Sequence, residues 1–262
     1  MAMRKCLIGM IAGVVGVMAF TSIASAAVTG LSIESSVTPS KGDKKIRNGV
    51  STFFASNDTH AGDFLGQGGC VGSGINPACF AYPPSVQSVV TFPKSLKFFP
   101  GNLPDCNLSA LAGESTAGAR AACPRSIVGT GVNINRTLTG QTLNGVITAF
   151  NGAPSGGNPS MYLHVDIAGV TTKPILNGVI RGNVLTVQIP PVPGAVIERF
   201  AVTINKVVSG KKRNTRTGKV KKTFYLMANC SKPNYTVRED VTYQDGTSLS
   251  ATTPGRCKQT KG

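Results

Sequence analysis

Runs in which apolar and polar residues alternate recur along this chain. Three of them carry an apolar residue at every second position, namely Leu163, Val165, Ile167, Leu185, Val187, Ile189, Phe200, Val202 and Ile204. Because successive side chains leave a strand on opposite sides, each run predicts a strand with one buried face. We expect these nine residues in the core. The polar members of the first run, Tyr162, His164 and Asp166, are expected on an opposite face in contact with water.

Two further runs rich in β-branched residues, 85–92 and 127–134, are bounded by Pro, Gly and Asn. Asn177-Gly178 and Gly182-Asn183 supply turn residues between neighbouring runs. Many short strands separated by turn residues are typical of an antiparallel all-β fold. The predicted fold is therefore an antiparallel β-sandwich of the jelly-roll or immunoglobulin-like kind.

A single segment, residues 108–122, has the pattern of a helix. It is rich in Ala, follows Asn107, which is a favourable N-cap, and lies between Cys106 and Cys123. Its two glycines weaken it by roughly 1 kcal/mol each. A disulfide across its ends would offset this, because closing a loop of that length stabilises a protein by about 3 kcal/mol. The sequence thus predicts one short, disulfide-flanked helix.

The first 26 residues have the pattern of a secretory signal peptide. Arg4 and Lys5 precede an apolar stretch over residues 6–20, and Ala-Ser-Ala at 24–26 matches a cleavage site. The apolar stretch is shorter than the roughly 20 residues that span a bilayer, and no later segment is long and apolar enough to span one. We therefore predict a secreted mature chain that begins near Ala27 and has no membrane span.

Six cysteines remain after the signal peptide, and an even number in an exported chain predicts disulfides. Each neighbouring pair lies in a loop-like stretch, which favours sequential pairing: Cys70–Cys79, Cys106–Cys123 and Cys230–Cys257. A metal cluster is the alternative, but the C-x-x-C spacing of zinc sites is absent. We expect three disulfides and no metal.

We interpret residues 27–262 as a single β domain with two unusual segments. One is a Gly-rich loop at about 57–80, and the other is a basic hairpin at about 200–228. The formal charge of +16 falls to +14 when Arg4 and Lys5 leave with the signal peptide. A charge this high favours anionic partners such as acidic glycans, wall polymers or nucleic acid, although it also serves general solubility.

The basic hairpin carries eight cations and no acid between residues 206 and 222. These are Lys206, Lys211, Lys212, Arg213, Arg216, Lys219, Lys221 and Lys222. Strands predicted over 200–208 and 219–227 place a loop at 209–218, whose charges could bind phosphates or carboxylates. The alternative is a solvated hairpin whose lysines keep a sheet edge from pairing. Aromatic residues that stack on nucleic-acid bases are scarce here.

No catalytic or cofactor motif stands out. Neither Gly-x-Ser-x-Gly nor His-Glu-x-x-His occurs, and no cofactor is predicted. His164 and Asp166 share one strand face, and with Asp58, His60 and Asp63 brought close they could form a metal or acid–base site. The alternative is that both groups are solvated polar positions.

Several segments between about residues 85 and 257 carry a resemblance. They are FPKSLKF at 92–98, LPDC at 103–106, ACPRSIVGTG at 122–131, IPPVP at 189–193 and the alternating run at 200–204. With these segments the chain resembles exported, β-rich bacterial proteins of the actinobacterial type whose function is unknown. The resemblance implies an extracellular location and a β-rich architecture, with no activity attached.

The sequence supports three hypotheses about function. The leading hypothesis is a secreted or surface-associated, non-enzymatic structural or adhesive protein. The alternative is an extracellular module that binds anionic polymers through the basic hairpin. A secreted hydrolase that uses His60 or His164 ranks third.

Overall fold

The computed structural model describes residues 28–38, 41–42, 48–60, 83–137, 141–192, 194–213, 220–229 and 234–259. The predicted signal peptide lies outside the described residues, and so do residues 61–80 of the predicted Gly-rich loop. Residues 57–60, which we had assigned to that loop, continue a strand instead.

The described residues contain eighteen strands and one α-helix. The strands are β1 Val28–Thr38, β2 Lys41–Gly42, β3 Asn48–Gly49, β4 Ser51–His60, β5 Ser85–Thr91, β6 Leu96–Phe98, β7 Ile127–Thr137, β8 Thr142–Ser155, β9 Asn158–Ile167, β10 Ile175–Arg181, β11 Val184–Gln188, β12 Ala195–Ile204, β13 Val207–Arg213, β14 Val220–Phe224, β15 Leu226–Ala228, β16 Asn234–Tyr243, β17 Ser248–Arg256 and β18 Lys258–Gln259. The helix is α1, Thr116–Ala122, and 3-10 turns lie at Pro100–Asn102 and Leu108–Ala110.

Eleven of these strands form one antiparallel sheet in the order β1-β4-β12-β7-β8-β9-β10-β11-β5-β16-β17. The sheet coils until its two edge strands, β1 and β17, approach with Cα atoms within 8 Å of each other. No backbone ladder joins these two edges among the described residues. The sheet is therefore nearly closed and barrel-like, with an inner and an outer face. We call the line where β1 meets β17 the seam.

The inner face holds the main core, as the alternating pattern predicted. Seven of the nine predicted core residues are buried: Leu163, Val165, Ile167, Leu185, Val187, Val202 and Ile204. Ile189 and Phe200 are partly buried and pack against the same core. These side chains come from strands β9, β11 and β12, so the coiling of a single sheet brings them together.

The outer face of β8 and β9 differs from the expectation. Tyr162, His164 and Asp166 do point away from the inner core, but His164 is fully buried and Tyr162 nearly so. The disulfide-closed segment, residues 106–123, lies over them and packs Leu111 and Ala119 against Tyr162. The prediction of a wet face was wrong here because alternation reports two faces without showing what covers the second one.

The disulfide Cys106–Cys123 closes this segment, as predicted. Cys257 is also disulfide-bonded. Its predicted partner, Cys230, lies outside the described residues, as do Cys70 and Cys79.

The helix is shorter than predicted. Residues 108–110 form a 3-10 turn, and α1 starts only after Ser115, whose side chain accepts a hydrogen bond from the Gly118 amide. Gly113 lies between them with φ of +74°, a left-handed conformation that ends a helical run. Asn107 makes no side-chain cap. One short helix between the two cysteines is nevertheless confirmed.

The predicted turns and loops are borne out only in part. Gly182-Asn183 forms the turn between β10 and β11, with φ of +65° at Gly182, but Asn177-Gly178 lies inside β10. Strand β13 also continues to Arg213, so it runs into the predicted 209–218 loop.

The antiparallel all-β class is confirmed. The eleven main strands form one hydrogen-bonded series, and their arrangement is closer to a barrel than to a sandwich of two sheets. In the part of the chain that the structure describes, no helix has the length and apolar character needed to cross a membrane.

Candidate functional site

The inner face of the main sheet lines a partly open cavity of about 80 Å³. Most of its wall is apolar and includes Phe54, Val90, Leu163, Val187 and Val202. The volume far exceeds the roughly 10–15 Å³ that one water requires and is below the roughly 300–1,000 Å³ of pockets for drug-sized ligands. The cavity therefore has room for a molecule of a few non-hydrogen atoms.

One carboxyl group of this wall is Glu239 on β16, whose side chain is only 2 % exposed. The Ser56 hydroxyl donates to its Oε2 atom at 2.6 Å, and the Ser88 hydroxyl donates to its Oε1 atom at 2.6 Å. These serines belong to β4 and β5, so three strands position the carboxyl group.

A second carboxyl group, Asp58, follows Ser56 by two residues on β4 and lines the same cavity. The Tyr243 hydroxyl donates to its Oδ1 atom at 3.1 Å. Tyr243 is four residues after Glu239 on β16. Both strands lie one place inside the sheet edges, so the Ser56–Glu239 and Tyr243–Asp58 bonds cross the seam from within.

Burial dominates the electrostatics of this carboxyl pair. Desolvation raises the pKa of Asp58 to about 7, the Tyr243 hydrogen bond opposes that rise, and the nearby Glu239 charge adds to it. Burial also raises the pKa of Glu239, against the lowering effect of its two serine donors. Both groups hold their protons more tightly than exposed carboxyl groups do.

No cation forms an ion pair with Glu239 or Asp58 among the described residues. A third acid of the cavity wall, Glu198, is paired: Arg136 donates to both of its carboxylate oxygens, at 2.9 and 3.0 Å. Arg199 binds Asn57 and Glu34 instead. Asp58 and Glu239 therefore have no countercharge within the described residues of a strongly basic chain.

Thr52 adds an independent feature to the cavity. It lies on β4 six residues before Asp58, lines the cavity and is only 2 % exposed. Its hydroxyl oxygen has no hydrogen-bond partner within the described residues. Because buried polar atoms are nearly always partnered in native proteins, this hydroxyl is a hydrogen-bonding group that remains available to a molecule in the cavity.

The predicted anion-binding residues lie elsewhere. Strands β13 and β14 pair as a two-stranded sheet that is separate from the main sheet. Lys211, Lys212 and Arg213 are on β13, and Lys221 and Lys222 are on β14. Lys206 precedes β13 and is half-buried. The remaining two predicted residues, Arg216 and Lys219, lie outside the described residues.

The predicted histidine site does not assemble around His164. Its Nε2 atom is 2.8 Å from the Glu114 carbonyl oxygen, beneath the disulfide-closed segment. Asp58 faces the cavity on the other side of the sheet, so these two residues cannot converge. The side chain of His60 and all of Asp63 lie outside what the structure describes.

Asp166 has a structural role next to His164. Its Oδ2 atom accepts hydrogen bonds from the Thr116 amide at 2.8 Å and from the Thr116 hydroxyl at 3.0 Å. Its Oδ1 atom pairs with Lys173 at 2.6 Å. This arrangement attaches the first turn of α1 to the sheet. Among the residues that the structure describes, no three His, Cys, Asp or Glu side chains group as a metal site would require.

Sequence reasoning missed Glu239, although the sequence contains a signal for it. Residues 235–243 alternate as a strand whose inward positions are Tyr235, Val237, Glu239, Val241 and Tyr243. A single acid on an otherwise apolar strand face is unusual, because an unpaired buried charge is costly.

A comparison of this chain with protein-family models, with curated proteins and with solved structures finds no match. The resemblance to exported bacterial proteins stays a prediction, and the function must be argued from the cavity itself.

Proposed function

We propose that this protein is an extracellular, non-enzymatic binding protein that holds a small molecule inside its nearly closed sheet. The observation that carries this proposal is the cavity of about 80 Å³, whose mostly apolar wall carries two inward carboxyl groups. An apolar pocket with a few convergent polar groups and shifted pKa values is the usual form of a ligand site.

Two parts of this proposal rest on the sequence: the secreted location rests on the signal-peptide pattern, and the non-enzymatic role rests on the lack of a catalytic motif. A purely structural or adhesive role would give the interior no reason to keep a cavity, because filling it would add stability. For that reason we favour binding over the structural role.

Polymer binding through the basic hairpin is a second candidate. It is supported by the separate two-stranded sheet that carries Lys211, Lys212 and Arg213 on one strand and Lys221 and Lys222 on the other. This role concerns a different surface and stays a prediction alongside the cavity.

The cavity proposal is tested with n-butanol as the probe and the purified, disulfide-bonded protein. We expect n-butanol to shift the NMR signals of cavity methyl groups saturably. Val202→Phe, which fills the cavity, should weaken that binding at least tenfold. The matched control is Val146→Phe, the same substitution at a side chain that is 42 % exposed on the outer face, and it should leave binding unchanged. Equal binding by both variants, or no saturable shift in the parent protein with n-butanol and with its charged analogue n-butylammonium, would show that the cavity is not a ligand site.

A further inference from the structure

The carboxyl pair of the cavity offers far more hydrogen-bond acceptors than the protein satisfies. An ionised carboxylate has about four acceptor positions and no donor. Among the described residues, Glu239 receives two donors, from Ser56 and Ser88, and Asp58 receives one, from Tyr243. A complementary ligand must therefore supply donors.

The charge of the site narrows the donor type. Two carboxyl groups line the cavity, the buried Glu239 and the half-buried Asp58, and no cation from the described residues pairs with either of them. The other charged group of the wall, Glu198, is already matched by Arg136. A neutral donor such as an alcohol would supply one hydrogen bond and no charge. A protonated primary amine supplies three N–H donors and one positive charge.

The remainder of the cavity sets the body of the ligand. Beyond the carboxyl pair the wall is formed by side chains such as Phe54, Val187 and Val202, which favour an aliphatic or other apolar chain. The Thr52 hydroxyl lies on the same wall, six residues before Asp58 on β4, and has no hydrogen-bond partner within the described residues, so it is available to a molecule in the cavity.

We infer that the cavity binds a small aliphatic ammonium ion, with the ammonium group held by Glu239 and Asp58 and the chain against the apolar wall. This inference rests on the proposed function and specifies the ligand class. Binding requires ionised carboxyl groups, so it releases protons and strengthens as pH rises.

The pH range follows from the groups that face the pair. Asp58 is faced by Tyr243 and Glu239. Glu239 is faced by the hydroxyls of Ser56 and Ser88, and the charge of the adjacent Asp240 adds to the rise of its pKa. The pKa of Asp58 is about 7, so a rise from pH 6 to pH 8 ionises it. Alkylammonium ions keep their proton over this range. A neutral ligand would show no comparable dependence.

The experiment compares n-butylammonium with n-butanol on the purified protein at pH 6 and pH 8 and constant salt. We expect n-butylammonium to bind at least tenfold more tightly than n-butanol at pH 8 and to lose at least threefold in affinity at pH 6. Glu239→Gln should weaken n-butylammonium binding at least tenfold and n-butanol binding less than twofold. Asp58→Asn should act in the same direction, which keeps the test available if the first variant does not fold.

The matched control is Asp240→Asn. It removes the same charge one residue away, on the outer face of β16, where Asp240 pairs with Arg238. We expect less than a twofold change in affinity for either probe. If n-butanol binds as tightly as n-butylammonium, or if Glu239→Gln and Asp240→Asn act alike, the ammonium inference is wrong while the cavity proposal stands. If neither probe binds the parent protein, both are wrong.

Discussion

Asp58 and Glu239 on the inner face of the main sheet and Asp166 on its outer face have opposite surroundings. On the inner face, Asp58 and Glu239 lack a cation among the described residues, and burial raises the pKa of both. On the outer face, Asp166 bonds to Lys173 and Thr116, and the Lys173 hydrogen bond leads the effects that lower its pKa to about 2. Asp166 serves the fold at neutral pH, whereas the inner pair works against it.

This difference separates two kinds of acid on the sheet. Groups retained for stability are surrounded by donors and cations, as Asp166 is. An acid that lowers stability at neutral pH must be retained for another reason, and ligand binding supplies one. Three measurements test this comparison.

The largest effect is expected from breaking the disulfide that closes residues 106–123 over the outer face. Replacing both Cys106 and Cys123 by Ser removes a disulfide with a sequence separation of 17. The free energy of unfolding should fall by about 3 kcal/mol, within the roughly 2–5 kcal/mol typical for a native disulfide. Urea denaturation measures this loss. The dependence of stability on pH between 4 and 7, which comes from the inner face, should be preserved, and its disappearance would show that the two faces are not independent.

The second effect concerns the inner face. The folded protein binds the Asp58 proton more tightly than the unfolded chain does, because the pKa rises from 3.8 to about 7. The stabilising contribution of the protonated group is therefore complete below about pH 4 and is lost as pH rises through about 7. At about 1.4 kcal/mol for each pH unit, this loss amounts to about 4 kcal/mol at most.

Asp58→Asn should abolish most of this loss, since an amide oxygen can still accept the Tyr243 hydrogen bond. Because Asp58 keeps some contact with solvent, we expect the variant to be more stable than the parent by about 2–3 kcal/mol at pH 8 and nearly equal at pH 4. Denaturation at several pH values measures the difference. A variant that is less stable at pH 8 would contradict the account of the inner face.

The smallest effect belongs to Asp166. Its lowered pKa stabilises the folded protein above about pH 4, and this contribution is lost as pH falls through about 2. The side chain is 22 % exposed, so solvent screening reduces the gain. Asp166→Asn should cost about 1 kcal/mol at pH 7, opposite in sign to Asp58→Asn. Asp240→Asn, in an exposed ion pair, serves as the control and should change stability little.

Local patterns predicted the parts of this fold that depend on local physics. The inward positions Leu163, Val165 and Ile167 followed from period two, because side-chain direction in a strand is set by the backbone alone. The disulfide Cys106–Cys123 followed from short spacing. The prediction of a turn at Asn177-Gly178 was wrong, because the same dipeptide occurs in turns and in strand interiors, depending on which strands pair with it.

The candidate site depends on contacts that local patterns do not contain. The Ser56–Glu239 hydrogen bond joins residues 183 positions apart. Neither residue has neighbours in sequence that reveal the other. In the same way, nothing near His164 in sequence shows that residues 106–123 cover it.

The seam has a consequence for how this chain folds. The Tyr243–Asp58 bond links residues 185 positions apart, and the strands that meet at the seam are the first and last long strands described. During synthesis, β1 and β4 emerge well before β16 and β17. Until β16 and β17 are made, they cannot cover the side of β4 that faces the cavity. Contacts of such high sequence separation form slowly, because loop-closure entropy opposes them until the intervening strands are in place. We expect closure of the seam to be the last step of folding.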